Sequence, residues 1–262
     1  MNKFISLLLA ISSAVLLALA LPNELFSWGN PVLGVIALVP LYLALDRAGS
    51  YGEAWLLGAV FGGLAHGLSS YWLWFFQDFR FWTLGSTVLA YMVVYGVLGF
   101  YLKGALRSGG IMRPLLFAAV WTVFEWSKST GFLAYPWGLL PYSWNTVLPA
   151  IQIAESTGVY GLSFSLAWLN ASIGELACPP AHLISTYTRP NTAWAALIFP
   201  RRPGPVPERA ALELGHFAFA SVLILAIAGY GSLALARDRQ PRGMLKAVLV
   251  QQNIDSWAAD GE

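Results

Sequence analysis

The 262 residues are 57% hydrophobic and only 11% charged, against about 25% charged in soluble domains. The apolar residues gather in long runs, which defines an all-α polytopic membrane bundle. A net charge of +2 gives no basis for binding nucleic acid, and the single Cys178 excludes an intrachain disulfide or a CxxC metal or redox site. The three scattered histidines, His66, His182 and His216, argue against a metal site, and no cofactor is expected.

The first predicted span is residues 5–21, after Met1-Asn2-Lys3. Ala18-Leu19-Ala20 has the small-residue spacing of a signal-peptide cleavage site. About 17 apolar residues is long for such a leader, however, and further spans follow at once. Those spans are 32–45, 54–76, 84–106, 114–126, 158–177 and 214–236, about seven in all. Residues 32–45 give about 21 Å of helix, short of a roughly 30 Å hydrocarbon core. Pro31 and Pro40 bracket that segment and predict a kink. The 114–126 span is similarly short and carries Glu125. If one or both short segments do not cross, the count falls to six or five.

Residues 1–236 thus form a transmembrane domain, with a proline-rich cytoplasmic insertion or linker at 177–211. With the N-terminus in the cytoplasm, Lys3, Arg47, Lys103, Arg107, Arg113, Arg189, Arg201, Arg202 and Arg209 fall inside. Arg80, Lys128, Arg237, Arg239, Arg242 and Lys246 fall outside, and four of these follow the last span. This asymmetry obeys the positive-inside rule and puts the C-terminus on the extracytoplasmic face. Residues 237–262 read as a linker and then one short strand, Val248-Leu249-Val250, which normally opens a soluble domain. An isolated strand is expected to fray.

The segment 128–157 contains Pro136, Pro141 and Pro149, so it is not one helix, yet it is too apolar for a free loop. It is expected at the interface or re-entering the bundle. Glu125 reads either as an interfacial residue that caps or snorkels, or as a polar anchor fixing the following loop or a lipid headgroup. Trp72, Trp74, Trp82, Trp126, Trp137, Tyr142 and Trp144 read as an aromatic belt, with an outer-leaflet acyl or headgroup groove as the alternative. His66 lies among Gly62, Gly63 and Gly67, a pattern for close helix packing with the imidazole hydrogen-bonded across the seam. Cys178 has no neighbour to lower its pKa and is not assigned as a nucleophile.

The stretch FAAVWTVFEWSKSTGFLAYPWGLLPYS from Phe117, the following TGVYGLSFSLAWLNA from Thr157, SSYWLWFF at 69–76 and the closing KAVLVQQNIDSW together resemble bacterial apolipoprotein N-acyltransferases. The likeness covers most of residues 1–177 and 212–257. It implies seven spans, an extracytoplasmic nitrilase-like α/β domain and an eighth span. It also implies acyl transfer from a phospholipid to the N-terminal cysteine amine of a diacylated lipoprotein, through a Glu–Lys–Cys triad and a thioester. None of the triad maps onto this sequence, and Glu125, Lys128 and Cys178 do not substitute for it. The expectation is therefore a membrane part, cut one strand into the nitrilase-like domain and inactive alone, in the bacterial inner membrane. Its lipid or substrate groove candidates are Glu125, Trp126, Trp137, Tyr142 and Trp257, with no catalytic or metal-binding residue. A separate nitrilase-like polypeptide docking on residues 237–262 is one variant of this expectation. A small transporter, or a membrane anchor for a separate transferase subunit, is the alternative. A transporter predicts paired intramembrane charges or matched broken helices, and neither is evident.

Overall fold

The computed structural model describes residues 2–75, 80–108, 112–131, 134–177 and 206–237. All regular structure among these residues is helical. The helices are α1 (Asn2–Ala20), α2 (Pro31–Ile36), α3 (Val39–Arg47), α4 (Tyr51–Ser69), α5 (Arg80–Arg107), α6 (Met112–Lys128), α7 (Leu148–Ile151), α8 (Ala154–Thr157), α9 (Val159–Leu176) and α10 (Val206–Ala236). Short 3-10 turns occupy Tyr71–Phe75 and Leu140–Trp144. The expected strand at 248–250, Trp257 and Cys178 lie outside the described residues, as does most of the expected insertion. Helix α10 begins at Val206, with Pro207 in its first turn, where a missing N–H costs nothing.

Each predicted span contains a helix, with 32–45 holding a pair and 54–76 holding α4, which ends at Ser69 before a 3-10 turn. Among the described residues, three segments are long and apolar enough to cross a membrane by themselves: Lys3–Ala20, Arg80–Arg107 and Ala211–Ala236. Helix α10 buries a single stripe, Glu213, His216, Ala220, Ile224, Ile227, Gly231 and Ala234. Its other face presents Leu214, Phe219, Val222, Leu225 and Leu233 outward, each more than half exposed. Helix α5 likewise exposes Leu89, Val93 and Tyr101. Apolar faces of this extent are unstable in water and suit a hydrocarbon surround.

Helices α4 and α5 cross antiparallel at backbone contact. A Cβ on Gly99 would lie 2.4 Å from the Ala54 carbonyl, and one on Gly58 would lie 2.3 Å from the Tyr95 carbonyl. The close packing expected of the α4 glycines is present, but His66 meets α5 differently from expectation. It stacks on Tyr91, with ring centroids 4.0 Å apart at 9°, and its Nδ1 lies 3.5 Å from Ser70 Oγ at the end of its own helix. A flat imidazole facing a phenol ring at stacking distance has no in-plane hydrogen-bond partner there.

The helix broken between α2 and α3 is the other organising feature. Asn30 caps α2 by accepting from Leu33 N, and Pro31 occupies its first turn. The helix then interrupts at Ala37 and Leu38, two residues before Pro40. The side-chain amide of Asn170, on α9, fits into the gap. Its Oδ1 accepts from Leu38 N at 2.8 Å and its Nδ2 donates to the Gly34 carbonyl at 2.9 Å. These are the two groups that an unbroken helix would pair with each other. Ser13 on α1 donates to the Ala37 carbonyl at 2.5 Å.

At one end of the bundle, Arg113 on α6 ion-pairs with Asp46 on α3, and its Nε donates to Glu175 of α9 at 2.9 Å. Tyr42 hydrogen-bonds Glu175, and Lys103 donates to the carbonyls of Leu45 and Asp46 at 2.9 and 3.0 Å. This clamp joins α3, α5, α6 and α9.

Two predictions follow from these contacts. Asn170→Leu keeps the volume but strands Leu38 N–H and the Gly34 carbonyl. It is expected to cost on the order of 1–3 kcal/mol, read as a lowered thermal midpoint in detergent. Arg113→Ala removes the guanidinium that bridges Asp46 and Glu175 and is expected to cost on the order of 3 kcal/mol. Arg113→Lys should recover only part of the midpoint, because an ammonium lacks the fork that reaches both carboxylates.

Candidate functional site

The opposite end of the bundle is closed by residues 134–158. They neither form a free loop nor lie flat on the surface. Leu140, Ser143 and Trp144 are buried, so the segment dips into the bundle between α2, α6 and α9. Gly138 permits the turn after Pro136-Trp137, since its φ of +68° is costly for any residue with a Cβ. This gives the PWG sequence a local conformational cause.

Glu125 holds the segment in place. It projects from the last turns of α6 and is only 1% exposed. Its Oε1 accepts from Leu140 N at 2.7 Å, and its Oε2 accepts from Ser163 Oγ of α9 at 2.5 Å. One carboxylate thus joins two helices to an irregular segment and satisfies a buried backbone N–H. Three more bonds complete the attachment. Lys128 Nζ donates to the Trp137 carbonyl at 2.9 Å, Trp144 Nε1 donates to the Pro31 carbonyl at 3.1 Å, and Tyr135 N donates to the Lys128 carbonyl at 2.8 Å.

Two hollows adjoin this end. A cleft of about 300 Å³ is lined by Leu21, Pro22, Ser69, Trp137, Gly138, Tyr142 and Asn145. An almost wholly apolar groove of about 380 Å³ runs between α5 and α6, walled by Leu98, Tyr101, Val120, Val123 and Phe124 among others. Burial, reinforced by the nearby Glu125 carboxylate and Tyr160, raises the Tyr142 phenol above its ordinary pKa. Tyr142 therefore remains a protonated donor at neutral pH.

The groove candidates separate into different roles. Trp137 and Tyr142 line the same cleft. Glu125 is enclosed and spends both oxygens on the protein, the geometry of an anchor for the following segment. Trp126 is 54% exposed on the flank of α6 and is not among the residues lining either hollow. Trp257 lies outside the described residues. Among the belt aromatics, Trp72, Trp74 and Trp82 are exposed, whereas Trp144 is buried and bonded to Pro31. Sequence reasoning missed Ser163 and Asn170. A polar residue in the middle of an otherwise apolar span was the available signal for both.

The described residues form a helical bundle with exposed apolar helices at its edge and a pinned aromatic segment over a cleft at one end, features that suit a membrane protein. Residues 13–172 match the model described as "Apolipoprotein N-acyltransferase N-terminal domain". Apolipoprotein N-acyltransferase 2 of Treponema denticola is 37% identical over 257 residues, covering 98% of this chain and 46% of the relative. Apolipoprotein N-acyltransferase 2 of Treponema pallidum is 35% identical over 246 residues, covering 94% and 40%. The apolipoprotein N-acyltransferase of Borreliella burgdorferi is 34% identical over 167 residues, covering 64% and 32%. The chain belongs to the apolipoprotein N-acyltransferase family. It spans less than half the length of these curated relatives.

Glu125→Ala should release residues 134–145 from α6 and α9. The expected outcome is a loss on the order of 2 kcal/mol of stability together with faster protease cleavage between 131 and 145. Ser163→Ala removes one of the two bonds and should show a smaller effect of the same kind.

Proposed function

We propose that residues 1–262 form the membrane portion of an enzyme of the bacterial cytoplasmic membrane. That enzyme moves an acyl chain from a phospholipid to the N-terminal cysteine amine of a diacylated lipoprotein. The observation that carries this reading is the family match over nearly the whole chain, 37% identical across 257 residues. The seven crossings would be α1, the α2–α3 pair, α4, α5, α6, α9 and α10. Arg47, Lys103, Arg107 and Arg113 lie at or beside the clamp end, which supports a cytoplasmic position for it. The pinned aromatic segment then faces the opposite side, where the lipid donor and lipoprotein acceptor would approach.

In this reading the bundle positions and shapes, and the bond-making groups come from a nitrilase-like unit acting through residues 237–262. That unit belongs either to the same chain or to a separate polypeptide. Acyl transfer through a thioester needs a thiolate beside a positioned base and an oxyanion site. Glu125 is engaged by Leu140 and Ser163, the arrangement of an anchor.

Residues 1–262 expressed in bacteria depleted of their own apolipoprotein N-acyltransferase are expected to leave lipoproteins diacylated. Co-expression with a nitrilase-like domain of the family, fused after residue 262 or supplied separately, is expected to yield the triacylated form. Mass spectrometry of lipoprotein N-terminal peptides distinguishes the products. Triacylation by residues 1–262 alone would overturn the division of labour proposed here.

A further inference from the structure

The Trp137 cleft offers polar groups that the Glu125 anchor does not use. Its walls come from three places: Leu21 and Pro22 just after α1, Ser69 at the end of α4, and Trp137, Gly138, Tyr142 and Asn145 of the pinned segment. Pro22, Trp137 and Asn145 are exposed, so the cleft opens to the outside of the bundle. It narrows at Gly138, where a Cβ would stand 3.4 Å from Leu21 Cδ1 and 3.9 Å from Ser69 Oγ. Trp72, with its ring centroid 5.7 Å from that of Trp137, extends the aromatic rim. Leu140–Trp144 is a 3-10 turn, and Asn145 closes it in a right-handed helical conformation. Side chains three residues apart eclipse in such a turn, which puts Tyr142 and Asn145 on one face.

Two properties narrow what fits. None of the described lining residues is charged. An ionic group drawn in would lose water without gaining a counter-ion, so the cleft suits an uncharged part of a ligand. In addition, neither the Tyr142 hydroxyl nor the Asn145 side-chain amide hydrogen-bonds another described residue. The phenol supplies one donor and the amide two N–H groups. Neutral donors beside the apolar wall of Leu21 and Trp137 match ester carbonyls carried on a short hydrocarbon frame. At about 300 Å³ the space is at the lower end of the roughly 300–1,000 Å³ of small-molecule sites, enough for a glycerol diester but not for whole acyl chains. Aromatic side chains collect at the headgroup level of a bilayer, beside the depth of lipid ester groups.

We propose that this cleft seats the glycerol diester of a diacylglyceryl lipid, with Tyr142 and Asn145 donating to its ester carbonyls and Trp137 and Leu21 packing on its carbons. The proposal deepens the functional reading above and rests on it, because a phospholipid donor and a diacylated lipoprotein acceptor both carry this group.

The test uses residues 1–262 in a neutral detergent, titrated calorimetrically with dihexanoylglycerol and with dihexylglycerol, a diether of similar size that lacks both carbonyls. The native chain is expected to bind the diester about tenfold more tightly than the diether. Tyr142→Phe and Asn145→Ala should each weaken diester binding several-fold, and the double variant should bind the two probes alike. Diether affinity and the thermal midpoint should not change in these variants, which separates lost donors from a disturbed segment. Two further diesters tell the sources apart, dihexanoylphosphatidylglycerol for the donor and S-(dihexanoyloxypropyl)cysteine for the acceptor. Tighter binding of the first assigns the seat to the donor, tighter binding of the second assigns it to the acceptor, and equal binding shows a seat used by both. Equal affinity of the native chain for diester and diether would overturn the proposal. A double variant that keeps the preference would also overturn it, as would failure of every diester to bind. The readout is binding without acyl transfer. Failure of the transferase reading would therefore appear in the lipoprotein assay with this preference intact, and failure of the diester seat would appear here alone.

Discussion

Backbone polar groups in an apolar bundle have no water to turn to, and this constraint governs where the chain is allowed to leave a helix. Several of the departures are met by a side chain. Asn23 closes the end of α1, with its Nδ2 on the carbonyls of Ala18, Leu19 and Leu21 and its Oδ1 taking Leu25 N and Phe26 N. Asn170 fills the gap between α2 and α3. Glu125 receives Leu140 N, and Lys128 caps the Trp137 carbonyl. The irregular segments are therefore held by side-chain hydrogen bonds as well as by packing.

The two ends of the bundle solve different problems. At the clamp end, Arg113, Asp46, Glu175 and Tyr42 lock helix ends to one another by charge. At the aromatic end, one carboxylate and one ammonium, a turn apart on α6, hold an entire segment. The carboxylate accepts from Leu140 N and Ser163 Oγ, and the ammonium donates to the Trp137 carbonyl and the Tyr95 hydroxyl. Both groups are fixtures of the segment.

Much of the fold was legible because hydrophobic runs and proline positions act locally. The helical class, the placement of the helices, the kink ahead of Pro40 and the inability of residues 128–157 to form a single helix all follow from neighbours within a few residues. The partners were not legible. Leu38 and Asn170 are 132 residues apart, and Glu125 and Ser163 are 38 apart. Nothing in one sequence selects those pairs from other polar residues in apolar runs. For the same reason the aromatic residues were grouped as one belt, although Trp144 is a buried donor and Trp137 a cleft wall. His66 was expected to hydrogen-bond across the seam, and it stacks instead, because the facing residue on α5 presents the plane of its ring. A family resemblance could name the segment but could not show how it is held.

Helix α10 meets residues 148–151 at Gly231, where an added Cβ would come within 1.6 Å of the Pro149 carbonyl. Its buried positions recur at 213, 216, 220, 224, 227, 231 and 234, a spacing of three or four that keeps one edge turned inward. Together these features key the helix in both azimuth and height. Inserting one residue upstream of Gly231 would rotate the remainder by roughly 100° and raise it by about 1.5 Å. The glycine would then leave its notch and a bulkier neighbour would enter it. The bearing with which the helix reaches Ala236 thus depends on a notch that only a residue without a Cβ fits, in register with the buried stripe.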